Sequence, residues 1–92
     1  MSNSIEHQIQ LAESLKKSLI QIQQELFHVS NQYLNKCHEI AQEGMLSEKY
    51  QTFVNEYAGE TSSAIKKVVE QIHERDIPYL EAHINWLMNG GK

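Results

Sequence analysis

Apolar residues recur along the first half of the chain at alternating steps of three and four: Ala12, Leu15, Leu19, Ile22, Leu26, Val29 and Tyr33. Steps of that size bring side chains back to one face of an α-helix, so the pattern predicts a long amphipathic helix from about Ser4 to Gln42. Lys36 interrupts the stripe, and Cys37 and Ile40 resume it. Ile20, Phe27, Leu34 and Ala41 add a flank at seven-residue intervals. The resulting face is wider than a two-stranded seam and suits a bundle of several helices.

Gln42 to Ser47 reads as a turn, with Gly44 able to take the left-handed conformation that ends a helix and Ser47 able to cap the next one. Beyond it the helical period returns. Leu46, Tyr50, Phe53, Tyr57, Thr61, Ala64, Val68 and Ile72 form a stripe, flanked by Val54, Ala58 and Ile65. Its phase survives Gly59, which favours one continuous helix to about Arg75; a break there with recapping at Thr61 or Ser62 is the rival reading. Asp76-Ile77-Pro78 punctuates more strongly, because proline lacks an N–H and disfavours helical geometry in the residue before it. Ile77, Leu80, Ile84 and Leu87 then carry a short C-terminal helix to about Asn89, and Gly90-Gly91-Lys92 reads as a frayed tail. The expectation is an all-α single domain over residues 1–92. It is an antiparallel helical hairpin with a short helix after Pro78, pairing into a four-helix bundle.

Composition narrows the functional classes. The chain has 92 residues and a net charge of −4, and its eight Lys and Arg residues are scattered. No basic stripe exists to displace counterions from phosphates, so neither nucleic acid nor an anionic membrane surface is an expected partner. The single cysteine forbids an intrachain disulfide, and Cys37 reads as a small, half-buried core residue. The N-terminal residues have neither the basic nor the apolar region of a cleavable signal peptide. A cytoplasmic location is expected, with export that uses no cleaved signal as the alternative.

Two Glu-x-x-His motifs, Glu25 to His28 and Glu70 to His73, have the spacing that di-metal bundles use. At about 100° per residue both point largely away from the apolar stripes, so no metal site and no cofactor are expected. No nucleophile–base set has local context, and the protein reads as non-enzymatic. Tyr79, His83 and Trp86 form a second face near the C-terminus, either wedged between helices or anchoring a partner. The interface residues singled out are Leu15, Leu19, Ile22, Leu26, Val29, Tyr33, Phe53, Tyr57 and Val68, with Trp86 as a candidate anchor.

The layout of two long amphipathic helices, an acidic balance and a central glycine at Gly44 resembles the small WXG-type proteins of type VII secretion. In Gln42-Glu43-Gly44 the glycine of that motif is kept and its tryptophan is absent. Tyr57-Ala58-Gly59 is a later aromatic-x-Gly, and Ile77-Pro78-Tyr79-Leu80 looks similar to a stretch in related effectors. The resemblance implies a secretion partner or targeting factor that pairs with itself, as a homodimer, or with a helical protein such as a secreted effector. A cytosolic helical adaptor, or a chaperone of another secretion system, is the alternative; a metal-binding helical bundle is a more distant one.

Overall fold

The computed structural model describes residues 2–43 and 48–91, and every element in it is helical. Helix α1 spans Ser2–Glu43 without interruption. The C-terminal half comprises α2 (Glu48–Thr52), a π-helical stretch over Phe53–Ala58, α3 (Gly59–Gln71), a second π-helical stretch over Ile72–Asp76, and α4 (Ile77–Met88). The expected turn residues Gly44 and Ser47 lie outside the described residues. The chain forms two compact units: Met1–Gln23 with Glu70–Lys92, and Gln24–Val69.

Gly59 does not break the second run. Its φ and ψ are −62° and −43°, ordinary right-handed helix, and its N–H donates to the Glu56 carbonyl. Pro78 does not break it either, which corrects the expectation of a chain break before a separate C-terminal helix. Asp76 and Ile77 are both helical, and Asp76 makes no capping hydrogen bond. The Ile77 N–H reaches back five residues to the Ile72 carbonyl. That wider turn moves backbone away from the proline ring, which would otherwise clash with the carbonyl four residues earlier. Pro78 then sits in the first turn of α4, where a missing N–H is tolerated.

The first π-helical stretch has a similar logic. The inward residues Tyr50, Val54, Ala58 and Ser62 follow one another in steps of four. In a plain α-helix repeated steps of four drift about 40° each around the axis, so a run of them would leave the seam. The wider turns over Phe53–Ala58 reduce that drift. At the second stretch the inward step is five, from Ile72 to Ile77, after which Leu80, Ile84 and Leu87 resume steps of three and four.

In the first unit the buried side chains are Ala12 from α1 and Ile72, Ile77, Ile84 and Leu87 from the C-terminal half. Lys16 Nζ meets Glu81 at 3.4 Å across the same unit. Of the expected frayed tail, Gly90 and Gly91 are held by hydrogen bonds, and Lys92 lies outside the described residues. Gly90 and Gly91 take φ of +93° and +69°. Their N–H groups donate to Leu87 O and Trp86 O at 3.0 and 2.9 Å. This glycine-terminated end satisfies carbonyls that the last helical turn leaves open.

In the second unit the stretches run antiparallel. Ser30 meets Ser62, and Phe27 lies under the Lys66 ammonium, 5.6 Å from the ring centre. The core is small: Val54, Ala58 and the two serines are buried. Ser30 Oγ donates to the Ser62 carbonyl at 3.0 Å, and the two hydroxyl oxygens are 2.6 Å apart. Small residues at the crossing allow the backbones to approach closely, and the serines satisfy each other where no water reaches.

Candidate interaction surface

The buried and half-buried residues of α1 are Ile5, Ile9, Ala12, Lys16, Leu19 and Gln23 in the first unit, and Leu26, Ser30, Asn31, Tyr33, Leu34, Cys37 and Ala41 in the second. Leaving Asn31 and Leu34 aside as a flank, they step alternately by four and three from Ile5 to Cys37. Every second position is apolar at Ala12, Leu19, Leu26 and Tyr33. The intervening ones, Lys16, Gln23, Ser30 and Cys37, are polar or only weakly apolar. The helix therefore turns a half-polar seam toward its own chain.

The more apolar stripe is rotated from that seam by roughly 60° at 100° per residue. It combines Leu19, Leu26 and Tyr33, which are half-buried, with Leu15, Ile22 and Val29, which are exposed. Leu15 keeps 51% of its surface and Val29 49%. The expected stripe on α1 is thus split along its length: one edge is used within the chain, and the other faces outward.

On the C-terminal half the stripe does not face one way. Tyr50 and Ile72 turn inward, while Phe53, Tyr57 and Val68, singled out as interface residues, are exposed. The residues read as their flank, Val54 and Ala58, are the buried ones, together with Ser62. The reason is steric. Where the Ser30–Ser62 contact draws the stretches together, Val54 and Ala58 fill the space between them, and Tyr33 and Tyr50 lie half-buried further along. Phe53 and Tyr57 stand outside, in a row that begins at Tyr50. The Tyr50 and Phe53 ring centres are 5.8 Å apart, and those of Phe53 and Tyr57 are 6.4 Å apart, all tilted. Tilted rings at these distances attract edge to face.

Near the C-terminus Trp86 is neither a wedge nor solvated on all sides. It is 47% exposed, stacks on His83 at 5.6 Å between ring centres, and carries Gly91 against its far edge. Tyr79 is more open still, at 75%.

The ten residues singled out in the sequence stand in two groups: Leu19, Leu26 and Tyr33 are half-buried, and Leu15, Ile22, Val29, Phe53, Tyr57, Val68 and Trp86 are exposed. The reading of the sequence passed over the two serines and the seam residues Lys16 and Gln23. A seven-residue spacing of polar side chains, Lys16, Gln23 and Ser30, was the available signal. Among the described residues no three of His, Cys, Asp and Glu come together as a metal would require, and no helix is long and apolar enough to cross a membrane. His28, Glu25, Glu70 and His73 are all exposed.

No family model, no curated protein and no solved structure matches the chain.

Proposed function

We propose that the protein is a non-enzymatic protein–protein interaction module that completes its packing against helices of a second chain. One observation carries this reading. Large apolar side chains, among them Leu15, Ile22, Val29, Phe53 and Tyr57, stand outside the intrachain seam, while on α1 the seam mixes Leu19, Leu26 and Tyr33 with Lys16, Gln23 and Ser30. Removing apolar surface from water contributes about 25 cal/mol per Å². A chain that leaves this much of it open gains that free energy only on association.

A four-helix arrangement is the packing that suits two outward faces per chain. The second chain is a further copy or a helical domain of an effector, the latter being the role implied by the WXG-type resemblance. Light scattering of the full chain over a range of concentrations, alone and mixed with such a domain, tests the reading. Val29→Asp and Phe53→Asp are expected to disperse the assembly with helicity retained. A concentration-independent monomer that also ignores the helical domain contradicts it.

A further inference from the structure

Ser30 and Ser62 mark the line along which the two stretches of the second unit touch. At about 100° per residue, Phe27 and Lys66 lie roughly 50° to one side of that line, and the Lys66 ammonium sits over the Phe27 ring. In an antiparallel pair, residues turned the same way from the contact line come to the same side. Val29 and Tyr33 on α1, and Phe53, Tyr57, Ile65 and Val68 on the C-terminal half, are turned the other way and share the opposite side. Val29, Phe53, Tyr57 and Val68 keep between 38% and 55% of their surface there. Lys36 stands at the outer edge of this side, where it pairs with Glu39 of its own helix at 3.7 Å.

We infer that this side of the second unit is where two copies of the chain pack, about a two-fold axis that crosses α1 level with Asn31 and the C-terminal half level with Thr61. The inference rests on the interaction-module reading and names its partner. A two-fold contact uses one surface twice, so its residues must match one another across the axis. Here they do so on each helix separately. Val29 and Tyr33 stand two residues either side of Asn31. Tyr57 and Ile65 stand four residues either side of Thr61, and Phe53 and Val68 stand eight and seven residues from it. The π turns over Phe53–Ala58 climb less per residue than α turns, which brings Phe53 level with Val68 of the second copy. Each ring of one copy thus meets an aliphatic side chain of the other, Tyr33 on Val29, Tyr57 on Ile65 and Phe53 on Val68. The spacing fixes the two centres independently. The Ser30–Ser62 contact sets them side by side, because Asn31 follows Ser30 as Thr61 precedes Ser62 in the antiparallel stretch. One straight axis therefore serves both helices, a condition that an unrelated partner does not impose. The side measures roughly 30 Å by 20 Å, at 1.5 Å per residue and about 10 Å per helix. With its ridges counted, that approaches the ~800 Å² per partner that stable pairs bury.

Crosslinking of the full chain with a short bis-maleimide tests the axis, in a Cys37→Ser background whose mass and helicity match the wild type. Thr61 is exposed at the axis, and Ser63 is exposed on the other side of the unit. Thr61→Cys is expected to give a covalent dimer and Ser63→Cys to give none. In sedimentation velocity the wild type, with Cys37 in place, is expected to form a concentration-dependent dimer. Tyr57→Ala, at an exposed site, is expected to raise its Kd about tenfold, the loss of an aromatic contact. Equal crosslinking at the two positions, or a dimer insensitive to Tyr57→Ala, overturns the axis. A dimer that forms but crosslinks at neither position leaves the interaction-module reading standing and overturns this face as the contact. A wild type that is monomeric at all concentrations overturns self-pairing; its binding or ignoring a helical domain then separates that failure from failure of the broader reading.

Discussion

The hydroxyl oxygens of Ser30 and Ser62 lie 2.6 Å apart, buried between the two helical stretches of the second unit. Ser30 also holds the Ser62 carbonyl at 3.0 Å, and Ser62 Oγ has the Ser30 carbonyl within 3.4 Å. Removal of one hydroxyl leaves the other an alternative acceptor. Ser30→Ala is therefore expected to cost about 1 kcal/mol of stability, the net worth of an ordinary hydrogen bond. Because the two groups share one network, Ser30→Ala/Ser62→Ala is expected to cost less than the sum of the single changes. Ser62→Leu is expected to cost more than either, about 1–3 kcal/mol, by forcing the backbones apart. Urea denaturation of the four variants checks all three statements.

The inward and outward faces of the C-terminal half should respond oppositely to charge. Val54 is 2% exposed, so Val54→Asp buries an unpaired carboxylate and is expected to unfold the second unit, at a cost of several kcal/mol. Val68 is outward, and Val68→Asp is expected to change stability by no more than about 0.5 kcal/mol while reducing association. Thermal melts followed by circular dichroism distinguish the two. Equal destabilisation by both variants would show that the faces have been misassigned.

The π turn over Ile72–Asp76 has two causes, the five-residue inward step and the proline ring. Removing both should restore a plain α-helix. Deleting His73 together with Pro78→Ala shortens the step from Ile72 to Ile77 to four residues and is expected to keep full helicity. Deleting His73 alone presses the Pro78 ring against the carbonyl four residues before it and is expected to cost about 3 kcal/mol. The difference in melting temperature between the two proteins is the readout.

Gly59 lies inside a helix, and a Cβ added there meets no atom within 4 Å. Alanine loses less backbone entropy on folding than glycine, so Gly59→Ala is expected to stabilise the protein by about 0.5–1 kcal/mol. An unchanged or lowered urea midpoint would contradict the helical geometry at this residue.

Gln23 places its side-chain oxygen in the seam, buried and without a hydrogen-bond partner among the described residues. An unsatisfied buried acceptor costs about 1–3 kcal/mol, so Gln23→Leu is expected to stabilise by an amount in that range. The same change extends the apolar character of the seam to a layer that is polar in the natural chain. Denaturation midpoints of Gln23→Leu and wild type make the comparison.

Much of the architecture could be read from spacing. The recurrence of Leu15, Leu19, Ile22, Leu26 and Val29 demanded a long helix, and α1 runs without interruption from Ser2 to Glu43. The persistence of phase across Gly59 favoured a continuous second run, and the helix continues there. The step from Ile72 to Ile77 was also visible, yet Pro78 drew attention to itself as a stop. A proline next to a residue inserted into the helical period points to a widened turn as readily as to a break.

The candidate surface was harder to read. A stripe three residues wide has two edges, and hydrophobicity ranks both the same. On α1 the edge of Leu15, Ile22 and Val29 is the more apolar, but it is the outward one. The edge that packs carries Ala12, Ser30 and Lys16, side chains that are small or that reach a partner such as Ser62 or Glu81.

By itself the sequence determined the helical class, the extent of the first helix and the presence of more apolar face than a polar surface would need, and it favoured continuity through Gly59 without deciding it. These follow from local periodicity, in which each residue's position around the axis depends only on its neighbours in the chain. The tertiary structure alone decided which side of each helix turns inward, because that depends on how near two backbones can come. In the second unit Ser30, Ala58 and Ser62 permit a close approach, and the larger rings of Phe53 and Tyr57 are left at the surface.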